Sequence, residues 1–325
     1  MLTVLTHSHD PFYNQAFEEF VFETFRDDDV FLLWQNSPTV IVGSYQNICR
    51  EVHVDTLRKL GIPIVRRMTG GGTVYHDLGN VNYTYITNQD GPLDYDRCLE
   101  PVIEALNGIG VLARKNRTCD IAIGDQKISG SAQRAAGGRL LHHGALLFQS
   151  DLAVLDQITT HHKNDCFQSK GTVSAICPVT NIADHLPSPM DAETFKECMV
   201  RHIMGGSDTV YEITPEDDQR IREIAAEKFN NWERIYGADP KFNIERTGRL
   251  AGGKMQFKID VQKGVIQSAA VYGDFFSTLD GSTICAALAG CRYERSAVLE
   301  ALKAHGIDGA VYRISAREMA EVIAD

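Results

Sequence analysis

The chain has 325 residues, 43% of them hydrophobic and 23% charged, with a formal net charge of −11. That length suits two domains, and the composition excludes a disordered polymer, a collagen-like repeat and a disulfide-stapled miniprotein. The acidic sum sets the overall field against nucleic acid, yet says nothing about a small anion held locally.

The first ten residues carry no basic stretch leading into an apolar core, so they do not read as a secretory signal. Asp10 then suits a helix cap and Pro11 the first helical position. Tyr13, Ala16, Phe17, Phe20, Val21 and Thr24 follow at helical spacing, and Asp27, Asp28 and Asp29 close the pattern. The apolar runs Val30–Trp34 and Thr39–Gly43, split by Asn36-Ser37-Pro38, read as strands about a turn. Further helices are expected over 52–60, 94–108, 191–203, 215–230, 294–304 and 315–323, with strands over 62–66, 81–86, 120–124 and 140–148. Residues 231–240 read as a surface connection. Beyond them Lys254–Val261 alternates, with Met255, Phe257, Ile259 and Val261 on one face. Lys263-Gly264 supplies a turn, and a second strand runs toward Tyr272. This predicts an α+β chain: a large domain of mixed sheets flanked by helices over 1–243, and a small α/β domain over 244–325 built on a hairpin and two helices.

No stretch approaches the roughly 18 apolar residues of a membrane span. The eight cysteines form no C-x-x-C pair, which argues against a zinc ribbon or a thioredoxin-type motif. They read as small buried side chains of a reduced, cytoplasmic chain, with Cys285 and Cys291 beside a C-terminal packing face. The run His161–Cys166 matches no standard zinc spacing and reads as a polar surface loop.

Three segments carry chemistry. In Arg66–Asp77 an apolar strand feeds Thr69-Gly70-Gly71-Gly72-Thr73. Consecutive glycines are costly to order and suit a backbone that approaches a ligand or takes positive φ. Their free N–H groups can receive a phosphate or carboxylate, and Arg67 can add a charge-assisted contact; a glycine-rich turn with solvated arginines is the bland alternative. Neither G-x-x-x-x-G-K-[ST] nor a helix-opening G-x-G-x-x-G occurs here. Asp120–Ala132 reads as strand, turn, strand, with Lys127 just past the turn among small residues. In Leu140–Phe148 the adjacent His142 and His143 face opposite sides of a strand, which disfavours a metal pair.

Together these segments resemble the lipoate–protein ligase A family of the biotin/lipoate ligase superfamily. The similarity runs over nearly the whole chain: Asp10–Asn14, Trp34-Gln35-Asn36, Pro38–Gly43, Gln46-Asn47, Arg66–Asp77 with Gly79-Asn80, Lys127–Ala132, His142-His143-Gly144, Lys170-Gly171 and Val179–Ile182. Pro240–Asn243, Gly252-Gly253-Lys254 and Tyr272–Phe276 resemble the family's accessory domain. The resemblance implies that lipoate and ATP form lipoyl-AMP, from which the lipoyl group passes to a lysine of a carrier domain, a 2-oxoacid dehydrogenase E2 subunit or the glycine cleavage H protein. It assigns Arg67, Gly70, Gly71, Gly72, Thr73, Val74, Tyr75, His76, Asn82, Asp120, Lys127, Ser129, Gly130, His143 and Gly144 to the ATP and lipoyl-AMP site. Lys127 is the implied catalytic residue, Asp120 the implied Mg2+ ligand, and the chain an expected monomer acting away from nucleic acid and membrane.

Two departures stand out. Many relatives carry Asn-Asp where this chain has Cys119-Asp120, and arginines where it has Ala175-Ile176-Cys177-Pro178. Cys119 opens the alternative of a cysteine-dependent octanoyl or lipoyl transferase of the same fold; a lipoate-binding homologue without ligation is the other. A biotin ligase shares the broad fold, but the glycine segment is of the lipoate type.

Overall fold

The Asp10 carboxylate accepts hydrogen bonds from the N–H groups of Phe12 and Tyr13 at 2.8 and 3.3 Å, so the first long helix, Pro11–Thr24, starts where its cap and proline dictate. The computed structural model describes residues 1–88, 94–159, 167–205 and 209–324; the His161–Cys166 run lies outside them. The chain forms two compact units, each discontinuous in sequence. One comprises 1–44, 62–157 and 174–231, the other 45–61, 158–173 and 232–325.

The first unit is built on an eight-stranded mixed sheet. Its order is Val210–Glu212, Leu2–Leu5, Val30–Trp34, Asn80–Asn88, Arg139–Leu147, Gln126–Ala136, Asp120–Ile123 and Ala113–Lys115. The first two pairings are parallel and the rest antiparallel. Both faces are covered, which is why Val30–Trp34 is apolar at every position rather than alternating. Phe31 and Leu33 point into one core with helices Asp96–Gly108 and Ala192–Met204, through Leu99, Val102, Phe195 and Met199. Val30, Leu32 and Trp34 point into another, with Phe17 and Val21 of Pro11–Thr24 and Ile221 and Ile224 of Pro215–Ile224. A small sheet, ordered Ile64–Arg66, Thr39–Val42, Val74–His76, adds Ile41 and Val65 to the second core.

The second unit carries a four-stranded antiparallel sheet, ordered Phe167–Ser169, Phe242–Leu250, Gly253–Gln262, Val265–Gly273. Helices Gly281–Leu288, Arg295–Ala304 and Ala316–Ile323 contribute Leu288, Leu302 and Ile323 to a core with Phe242, Phe257 and Ile259. This is two strands, Phe167–Ser169 and Phe242–Leu250, and one helix more than a hairpin with two helices. Phe242–Leu250 escapes a hydropathy reading because beyond Ile244 its residues are mostly charged, polar or glycine.

Other expectations change in detail. The 52–60 helix starts at Val54 and runs to Leu60, because Val52 is extended at φ −139° and ψ 154°, where it closes a separate short helix, Ile48–Glu51. The 215–230 helix ends at Ile224 and continues as a π-helical turn, Ala225–Phe229. Residues 231–240 are more than a surface connection. They hold a short helix, Trp232–Ile235, and the buried Asp239 carboxylate accepts from the Ile48 N–H at 3.1 Å. That partner lies 191 residues away, beyond any local pattern. Of the described cysteines Cys98 is buried and Cys49, Cys119, Cys177, Cys198, Cys285 and Cys291 are partly exposed. No described helix is long and apolar enough to cross a membrane.

One glycine shows how tightly the large sheet is packed. A Cβ on Gly144 would lie 2.4 Å from both Cζ and Oη of Tyr83 on the neighbouring strand. Gly144→Ala should therefore cost about 1–3 kcal/mol of unfolding free energy. Urea unfolding reads this directly, and an unchanged midpoint would contradict the packing.

Candidate active site

The strand register assembles the site. Trp34, Asn82, Ala145, Gly130 and Asp120 are successive cross-strand partners over five strands, and Leu32, Thr84, His143 and Ala132 form the next row. Directly opposed residues share a face, so sequence-distant groups line one side of the sheet.

Lys127 joins that face because of a bulge. Asp120 pairs with Gly130 and Ile121 with Ser129, but Ala122 pairs with Lys127, leaving Ile128 as an extra residue. In a regular strand residues 127 and 130 face opposite sides; the inserted residue brings them to the same one. Ile128 and Ile121 both go into the core beneath. The Lys127 ammonium then meets the Asp120 carboxylate at 2.8 Å. Gly130 leaves it room, since a Cβ there would lie 2.7 Å from Nζ and 2.9 Å from Cε. The Lys127 backbone is held by segment 178–180: its N–H donates to Pro178 O at 2.9 Å, and Thr180 N–H donates to Lys127 O at 3.1 Å.

The glycine segment lies against the same face. Gly71 takes φ +90°, and a Cβ there would meet Arg67 Nη2 at 3.0 Å and Ala132 Cβ at 3.8 Å. The buried Arg67 donates to the carbonyls of Gly70 and Gly72 at 2.5 and 2.7 Å through Nη2, and to Thr69 Oγ1 at 3.0 Å through Nε. Its guanidinium clasps its own loop and leaves the glycine N–H groups to face elsewhere. Burial pulls its pKa down to about 10, against the opposing pull of Glu18. Thr73 N–H donates to Ser174 Oγ at 2.8 Å, which braces the far end of the segment.

Beneath the loop runs a buried polar chain. Thr69 Oγ1 and His143 Nε2 are 2.7 Å apart, and His143 Nδ1 lies 2.9 and 3.0 Å from the two oxygens of Glu18. Thr84 Oγ1 donates to Glu18 at 2.7 Å and accepts from Trp34 Nε1 at 3.1 Å. His76 sits beside this chain, receiving Asn36 Nδ2 at Nδ1 (3.1 Å), with its ring edge-on to Trp34 at 6.1 Å.

The structure thus brings Arg67, Gly70, Gly71, Gly72, Thr73, His76, Asn82, Asp120, Lys127, Gly130 and His143 into one neighbourhood. Val74 and Tyr75 continue the segment as a strand; Tyr75 is buried, and burial with Asp77 and Asp151 pushes its hydroxyl up to about 12. Ser129 and Gly144 do not join that group, because pleating turns them to the opposite face with Tyr83. Glu18, Trp34, Thr69 and Ser174 were not among the residues expected from sequence. A glutamate and an asparagine, Glu18 and Asn14, both wholly buried on a helix rich in buried aromatics, are the signal that could have pointed there. Among the described residues no group of three or more His, Cys, Asp or Glu is placed to hold a metal ion.

Comparison with known proteins identifies the family. Residues 10–204 match the lipoyl protein ligase A/B catalytic domain, and 239–323 match the bacterial lipoate protein ligase C-terminus. The chain belongs to the lipoate–protein ligase family. It is 37% identical over 304 residues to lipoate-protein ligase LplJ of Bacillus subtilis, covering 91% of each chain. It is 36% identical to lipoate–protein ligase 1 of Staphylococcus aureus, covering 92% of each. Among solved structures, P. falciparum LipL1 in complex with lipoate shares the fold at TM-score 0.63 and 22% identity, over 93% of this chain and 94% of that one. Lipoate-protein ligase A bound with ATP does so at 0.57 and 24%, over 70% and 94%.

The histidines on the two faces make a pH prediction. Burial is the main cause that lowers the pKa of both His76 and His142 to about 3, from 6.5. Both are therefore neutral in the folded protein, while unfolded imidazoles protonate near pH 6.5. Between about 6.5 and 3 the unfolded chain binds the extra protons, so stability falls as pH falls, by up to about 1.4 kcal/mol per unit for each histidine. Calorimetry at pH 5 should show His142→Asn taking up about one proton fewer on unfolding than the parent; equal uptake would contradict a neutral His142.

Proposed function

We propose that the chain activates lipoate with ATP to lipoyl-AMP and transfers the lipoyl group to a lysine ε-amine of a carrier domain. The observation that carries this is the Lys127 ammonium, placed by the bulge against Asp120 on the face where the glycine segment lies. In the first step the lipoate carboxylate attacks the α-phosphorus and pyrophosphate leaves. Two anions meet, so the barrier falls only if fixed cations and donors are already in place. Lys127 supplies the cation, and the N–H groups of Gly70, Gly71 and Gly72 supply dipoles, with Thr73 anchoring the end of the segment through Ser174. In the second step the carrier amine attacks the acyl carbonyl and AMP leaves, with Lys127 steadying the developing oxyanion.

The remaining roles follow from position. Arg67 shapes the loop, Val74, Tyr75 and His76 extend its wall, and Asn82, Gly130 and His143 line the sheet beneath, with Ser129 and Gly144 supporting from behind. Mg2+, which takes one or two carboxylates plus substrate phosphates, fits Asp120, a buried carboxylate beside the phosphate-facing lysine; when bound it neutralises phosphate charge. The carrier reading draws support from a solved archaeal bipartite lipoate protein ligase studied with its E2 lipoyl domain. The family matches at 10–204 and 239–323 support a functional division into 1–243 and 244–325.

The cysteine-transferase reading requires a thiolate. Burial, and then the Asp120 carboxylate, raise the Cys119 pKa, and its sulfur lies 3.6 Å from Asp120 Oδ1 as a donor. Both features favour the thiol.

Lipoate-dependent ATP–pyrophosphate exchange tests the proposal. Lys127→Ala should lose at least about a hundredfold, while Cys119→Ala should keep its exchange. Retained activity in Lys127→Ala would sink the ligase mechanism, and a dead Cys119→Ala that still binds ATP would point to the transferase.

A further inference from the structure

The chain from Trp34 to Arg67 has a fixed direction. Trp34 Nε1–H and Arg67 Nε–H can only donate, and each gives its proton to a threonine hydroxyl. Each hydroxyl must then place its own proton, because a buried O–H left without an acceptor is costly. Thr84 has Glu18 Oε1 at 2.7 Å, and Thr69 has His143 Nε2 at 2.7 Å. His143 Nε2 is therefore an acceptor, and its ring proton sits on Nδ1, donating to the Glu18 carboxylate at 2.9 and 3.0 Å. Every donor in the chain ends on Glu18, which is wholly buried.

We propose that Glu18 is a positioning residue: through a neutral, Nδ1-protonated His143 and Thr69 it orients the Arg67 guanidinium and thereby sets the conformation of the glycine segment. The two charges, Glu18 and Arg67, do not touch. Two neutral side chains bridge them, and each is oriented only while both ends are present. The Glu18 charge favours the Arg67 cation, so carboxylate and guanidinium are coupled electrostatically as well as by the bridge. Because Arg67 clasps the carbonyls of Gly70 and Gly72, its tilt decides where the glycine N–H groups point. A carboxylate at the centre of a helix thus governs donors on a loop that it does not contact. The consequence for rate rests on the adenylation proposed above; the consequences for proton placement and loop conformation do not.

Nitrogen-15 NMR of histidine-labelled protein reads the first. The His143 signal, identified by its loss in His143→Gln, should show a protonated Nδ1 and a bare Nε2 at pH 7.5. A protonated Nε2, alone or with Nδ1, overturns the proposal. The second readout compares Thr69→Val, which keeps the shape but removes both bonds, with Thr69→Ser, which restores them. Backbone amide signals of Gly70–Thr73 should shift and broaden in Thr69→Val and return in Thr69→Ser. Pyrophosphate-exchange kcat should fall about a hundredfold in Thr69→Val and recover in Thr69→Ser. Unshifted loop signals in Thr69→Val overturn the proposal, and the histidine spectrum decides alone should that variant not fold. A parent protein without exchange activity would count against adenylation, and the amide spectra would still judge the positioning role.

Discussion

A buried carboxylate must be answered from inside the protein, and much of the first unit is arranged around that demand. Glu18 lies on a helix that also buries the apolar Phe17, Phe20 and Val21. Left unpaired, its ionised form would cost several kcal/mol, enough to threaten a typical fold. Three elements therefore converge on it: Thr84 from strand Asn80–Asn88, His143 from strand Arg139–Leu147, and Arg67 through Thr69 from the segment after Ile64–Arg66. The first two are cross-strand partners. Satisfying one helix carboxylate thereby fixes the large sheet, the helix and the glycine loop against each other.

The bulge at Ile128 plays a comparable part on the other side of the site. Strand alternation gives a sheet two independent faces, and an unbroken strand would send Lys127 to the face opposite Gly130. One inserted residue reverses the parity beyond it. The apolar Ile128 is buried in the core at the irregularity, and the lysine gains Asp120 as partner and Gly130 as floor. Segment 178–180 pairs with the Lys127 backbone. This stretch begins at Pro178, the last residue of Ala175-Ile176-Cys177-Pro178, so a run that departs from the family pattern contributes backbone support that does not depend on side-chain identity.

Local signals explain what was legible beforehand. Asp10 with Pro11, and the unbroken apolar run Val30–Trp34, announce their elements because cap chemistry and hydropathy act within a few residues. Arg67, the triple glycine and Lys127 stood out by composition. Parity did not: Lys127 and Gly130 share a face through a register shift that no residue type marks. Nor did the pairing of Glu18 with His143, 125 residues apart. Thr69 is an unremarked threonine until its two partners are placed. In the C-terminal sheet alternation marks two strands and misses Phe242–Leu250, which buries only Phe242 and Ile244, and the three-residue Phe167–Ser169.

The net charge of −11 acquires a different meaning once these pairs are known. Lys127 is matched by Asp120, and the Arg67 cation is answered by Glu18 through its bridge. Each cation of the site is locally compensated, so neither presents a bare positive field in the resting protein. The groups facing an incoming anion without a built-in counter-charge are the backbone N–H dipoles of the glycine segment, whose carbonyls Arg67 has turned inward. In the proposed adenylation, selectivity for an anion then rests on geometry more than on summed charge: a ligand would reach oriented dipoles and draw Lys127 away from Asp120. Such a site discriminates by shape in a protein whose overall charge repels what it holds.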